Sequence, residues 1–109
     1  MNHLQRKRDE LEDQHIRRTR QFNELEWEYD NMKRDMRQHT EEMGEWVAYF
    51  FRNVPDVSLS YELEQQTNLQ EDFMRRVRRY EDRLDEAREQ ERKQYWKNLD
   101  NLEKEERNS

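Results

Sequence analysis

The chain has 109 residues, enough for one ordinary domain, of which 30% are hydrophobic and 44% charged. Its 21 basic and 27 acidic residues leave a net charge of −6, which argues against a nucleic-acid partner that would need a basic face. With one Gly, one Pro and no Cys, the composition excludes a turn-rich β fold, a disulfide framework, a thiolate zinc site and a cysteine nucleophile.

Leu, Ile, Val and Phe together make only eighteen residues, a share at which disorder enters. Against disorder, the charge is mixed and twelve residues are aromatic. Ala, Glu, Lys, Leu and Arg supply fifty residues, the proportion of long helices and coiled coils. Residues 1–20 carry charge throughout, so they do not read as a secretory leader. The longest apolar run, residues 46–51, is far short of the ~20 residues of a membrane helix. The expectation is a cytoplasmic protein with no membrane insertion.

The first element is a helix over about residues 2–52. Its seam steps by three and four through Met1, Leu4, Arg8, Leu11, His15, Arg18, Phe22, Leu25, Tyr29, Met32, Met36, His39, Met43, Trp46 and Phe50. Gly44 is a point where this helix can kink. Pro55 restricts Val54 and lacks a donor, so a turn is expected over about 53–58, with Asp56, Ser58 or Ser60 capping the next helix. That second helix, over about 59–105, carries Leu59, Leu63, Gln66, Gln70, Phe73, Val77, Tyr80, Leu84, Ala87, Glu91, Tyr95, Leu99 and Leu102. The eleven residues from Leu84 to Tyr95 form a stutter, and the sequence from Thr67 to Gln70 fits a capping box at which the helix could restart. Acid-first pairs at i,i+4 support both arms: Asp13–Arg17, Asp30–Arg34, Glu71–Arg75, Asp72–Arg76, Glu89–Lys93 and Asp100–Lys104.

These elements predict one all-α domain, an antiparallel two-helix hairpin of coiled-coil type that completes a larger helical bundle with a partner. The short turn sets a register in which facing residue numbers total about 109–110. Arg18 then faces Glu91, His39 faces Gln70, and His15 lies near Tyr95. The polar breaks of the two seams coincide, and Arg18, Glu91, His39 and Gln70 read as pins that fix the alignment.

The apolar residues exceed the seam. Trp27 is two positions from Leu25 and from Tyr29, so it points away from the other arm. Val47, Tyr49, Phe51, Met74 and Trp96 are also off the stripe, and residues 46–51 are apolar all round. Trp27, Trp46, Val47, Tyr49, Phe50, Phe51, Met74 and Trp96 are therefore the candidate partner-binding residues. The plainer alternatives are packing at the turn for residues 46–51 and cover of its own hairpin for Trp27 and Trp96. One stripe per helix buries little for a chain this size, so self-association or docking on another helical protein is expected.

No chemistry competes with this. His3, His15 and His39 lack the spacing of a helical zinc site, no carboxylate sits isolated in apolar surroundings, and no phosphate loop or nucleophile motif occurs. No enzyme, metal or cofactor is expected. The basic run Arg75, Arg76, Val77, Arg78 and Arg79 is offset by Glu71, Asp72, Glu81 and Asp82, and reads as a solvated helix face.

The layout, with the second arm FMRRVRRYEDRLDEAREQERKQYWKNLDNLEKEE, resembles the small α-helical accessory proteins of LXG toxins in Gram-positive type VII secretion. The resemblance implies a non-catalytic targeting chaperone. It would bind the helical N-terminal domain of an LXG toxin together with a second small helical accessory protein, and could leave the cell with that cargo without a signal peptide. The chain departs from related WXG-type hairpins in having Gly44-Glu45-Trp46 in reversed order. It also lacks the Tyr-x-x-x-Asp/Glu export motif, because Tyr61, Tyr80 and Tyr95 precede Gln65, Leu84 and Leu99. The alternative is a self-associating coiled-coil scaffold, a homodimer when alone.

Overall fold

A computed structural model describes residues 2–54 and 58–108. The chain is an all-α helical hairpin of two long helices, α1 (Asn2–Asn53) and α2 (Ser60–Arg107), and no strand occurs among the described residues. The turn expected around Pro55 and the capping role expected of Asp56 lie outside the described residues.

The ends of the helices are set by local hydrogen bonding. At the end of α1, Asn53 Nδ2 donates to the Tyr49 carbonyl at 2.8 Å and Arg52 Nε donates to the Ala48 carbonyl at 3.3 Å. The Val54 N–H donates to Phe50 O at 2.8 Å, which satisfies one of the four carbonyls that the helix terminus leaves without intrahelical partners. At the start of α2, Leu59 O accepts from the Leu63 N–H at 2.9 Å, and Ser58 Oγ accepts from the Ser60 N–H at 3.4 Å. Glu62 in the first turn and Lys104 and Arg107 in the last complement the helix dipole.

Neither expected weak point breaks its helix. α1 runs through Gly44 without interruption and without a positive φ. α2 runs through residues 67–70, where Thr67 Oγ1 donates back to Leu63 O at 3.0 Å instead of capping a new start.

The chain divides into two compact units, Met1–Trp27 with Asp82–Ser109, and Glu28–Glu81. Each unit pairs a segment of α1 with an antiparallel segment of α2. The first buries Leu84 and Leu102 of α2 and half-buries Leu4, Leu11 and Phe22 of α1. The second buries Val77, only 2% exposed, and half-buries Met36, Met43, Phe50, Phe73 and Met74.

The stripe that α1 buries departs from the expected one in a regular way. Every seventh position from Arg8 to Phe50 (Arg8, His15, Phe22, Tyr29, Met36, Met43, Phe50) is half-buried. Between them Leu11 holds its expected place and Leu25 is exposed, while in the other four heptads the inward place shifts one residue onward: Thr19, Lys33, Thr40 and Val47 turn inward, whereas Arg18, Met32, His39 and Trp46 are exposed. The seven-residue repeat itself is kept, so in these four heptads the inward stripe takes as its second place the residue four after the seventh position instead of three after. In α2 the run Leu84, Arg88, Glu91, Tyr95 turns inward in three steps over eleven residues, the longer repeat of the stutter.

Candidate partner-binding surface

The interior of the first unit carries a polar layer where apolar packing would otherwise continue. Glu91 has only 11% of its side chain exposed and receives two partners from α1. Arg18 Nη1 donates to its Oε2 at 2.9 Å, and His15 Nδ1 lies 3.2 Å from its Oε1. The His15 ring stacks on Tyr95 with centroids 4.0 Å apart and planes 5° from parallel. A second cross-arm cluster forms at Arg88, whose guanidinium sits 5.9 Å from the Phe22 ring centroid and donates to Asn23 Oδ1 at 3.1 Å and Glu26 Oε2 at 2.9 Å. Toward the chain ends, Lys7 pairs with Glu105 at 3.3 Å and Arg8 with Glu106 at 2.7 Å.

In the second unit, Tyr29 and Tyr80 stack at 6.0 Å, and Lys33 Nζ meets Glu81 Oε2 at 2.9 Å and Asp30 Oδ1 at 3.5 Å. The hydrogen bond to Glu81 raises the Lys33 pKa above the ordinary lysine value, against the opposing effect of desolvation. In the first unit the hydrogen bond from Arg92 lowers the pKa of the half-exposed Glu89. His39 and Gln70 are not joined: His39 is exposed with no hydrogen bond among the described residues, and Gln70 lines a shallow groove on α2 with Thr67 and Met74. Of the i,i+4 pairs read from sequence, Glu71–Arg75, Glu89–Lys93 and Asp100–Lys104 lie within 4.0 Å. Lys33 reaches Asp30 at i,i+3, and Arg34 donates to Asn31.

The eight candidate binding residues separate into two sets. Trp27 (67% exposed), Trp46 (52%), Tyr49 (62%) and Trp96 (63%) present most of their surface to solvent, and Phe51 lies at the edge of exposure. Val47, Phe50 and Met74 are half-buried, and Val47 takes the inward place expected of Trp46. Met43 and Phe50 keep their inward places and only the position between them moves from Trp46 to Val47, so the smaller aliphatic turns in and the indole turns out. Trp46 then stacks on Phe50 one turn later, at 5.4 Å. Ile16, Tyr61 and Leu69 are exposed apolar residues that sequence reasoning did not single out. For Ile16 the signal was present, since it follows the seam residue His15 directly.

No group of three His, Cys, Asp or Glu side chains suited to a metal ion occurs among the described residues. No helix among them is long and apolar enough to cross a membrane. No family model, curated protein or solved structure matches the chain.

Proposed function

We propose that the protein is a non-catalytic helical adaptor, which covers apolar surface on a second helical protein and has its own exposed aromatic residues covered in return. One observation carries the reading. Among the described residues, Val77, Leu84 and Leu102 are the buried hydrophobic core, whereas Trp27, Trp46, Tyr49, Tyr61 and Trp96 stay more than half exposed in the hairpin. Full burial of a large apolar side chain is worth roughly 1.5–3 kcal/mol, and most of that remains unrealised at these five positions. Exposed aromatics of this kind are the usual anchors of protein interfaces.

The sequence resemblance supplies the candidate partner: the helical N-terminal domain of an LXG toxin, with a second small helical accessory protein beside it, before type VII secretion. Co-expression of the chain with such a domain tests this by size-exclusion chromatography with light scattering. One co-eluting species of defined stoichiometry is expected. Two separate species, together with a melting temperature of the isolated chain that rises with its concentration, would replace the adaptor with a self-associating scaffold.

A further inference from the structure

The end of the second unit nearest the turn combines an apolar groove with an excess of negative charge. The groove, about 210 Å³, runs between α1 and α2 and is lined by Met43, Trp46 and Val47 on one side and by Leu59, Leu63 and Gln66 on the other, with Glu62 at its rim. It exists because Val47 rather than Trp46 turns inward, which leaves the indole standing as one wall.

The surrounding charge is one-sided. Among described residues 38–54 and 58–70, Glu41, Glu42, Glu45, Glu62 and Glu64 stand against a single cation, Arg52. This stretch therefore holds −4 of the chain's net charge of −6. All five carboxylates are exposed, and none has an ion-pair partner among the described residues. Arg52 turns back onto its own helix, where Nε donates to Ala48 O at 3.3 Å. Glu42 lies one turn before Trp46 on the same face of α1, so carboxylates flank the groove from both helices.

We infer that this groove receives a basic amphipathic helix of a protein partner, whose apolar ridge seats between Trp46 and Leu63 while its flanking Lys or Arg side chains meet Glu42 and Glu62. An i, i+3/i+4, i+7 apolar ridge is the shape that a groove between two helices accepts. The charge decides among occupants: an anionic membrane or nucleic acid meets repulsion here, and a cationic rim on the partner meets attraction. The inference rests on the adaptor reading and adds the chemistry of the partner's docking element.

The test uses the full chain and two labelled peptides of about 18 residues, five helical turns. Both have the same Leu-rich ridge, flanked by Lys in one and by Glu in the other. Fluorescence anisotropy should show saturable binding of the Lys-flanked peptide, weakened by salt, and none of the Glu-flanked peptide. The double reversal Glu42→Lys with Glu62→Lys should weaken the Lys-flanked peptide by about tenfold or more at unchanged helicity by circular dichroism. Equal binding of both peptides, binding of neither, or a dimer of the chain that Trp46→Ala dissolves would each overturn the inference. In the co-expression experiment, a toxin-domain complex that tolerates the double reversal removes this docking mode and leaves the adaptor intact. Peptide binding without any such complex removes the proposed partner and leaves the groove.

Discussion

A carboxylate placed between two packed helices loses hydration, and cations and donors must replace the lost water. Glu91 meets that requirement through Arg18 and His15, with the Tyr95 ring closing one side of the imidazole. Arg18 itself is half exposed, so solvent screens the pair and its net worth stays modest. A double-mutant cycle over Arg18→Leu and Glu91→Leu, read by urea unfolding, should give a coupling energy of about 0.5–1 kcal/mol. Lys33 supports a prediction of opposite charge. Its pKa is raised in the folded state by Glu81, so the stability it lends is complete below the ordinary lysine value. That stability disappears as pH climbs through the raised one. Melting curves across the alkaline range should fall less steeply for Lys33→Met than for the parent, by about half a kcal/mol or less, because the pair is partly exposed. The facing of Arg18 with Glu91 was legible from the turn-set register alone. The Arg88 cluster was not, since an arginine beside the seam residue Ala87 carries no signal of the ring and carboxylate it will reach.

At the scale of elements, each helix was legible in the three-and-four spacing of its apolar residues. Which residue fills the inward place between two seventh positions was harder to read. The heptad itself is kept in α1, but a three-then-four template puts the second inward place three residues after the first, and the burial pattern mostly puts it four after. Thr40 and Val47 therefore hold places assigned to His39 and Trp46. The hydroxyl of Thr40 is satisfied at its new place by donating to Met36 O at 2.9 Å. Gly44 gave a warning that the fold did not act on. Nothing lies within 4 Å of where its side chain would begin, and its backbone is ordinary helix. Gly44→Ala should raise the stability of the isolated chain by about 1 kcal/mol, the helix-propensity difference, seen as a higher melting temperature in circular dichroism.

For the whole molecule, the fully buried residues of the core are distinct from the large aromatic residues left more than half exposed. Leu84→Ala should cost the isolated chain about 2–3 kcal/mol, near the low end for a core truncation because so few neighbours are fully buried. Trp27→Ala should change the melting of the isolated chain little, while weakening the complex with the proposed toxin-domain partner by about tenfold in calorimetric titration. The excess of apolar surface was legible in the sequence because seam residues and aromatic residues could be counted separately. The identity of what covers it was not, because periodic helical text specifies a face and its polarity but leaves open which of many helices it meets.

The three indoles have a practical consequence. Trp27, Trp46 and Trp96 are each more than half open to water. Their emission should therefore be red-shifted in the free protein and move to the blue wherever a ligand covers one of them. Single Trp→Phe replacements would then identify which stretch has been occluded, so the molecule carries three native optical probes, two in the first unit and one in the second.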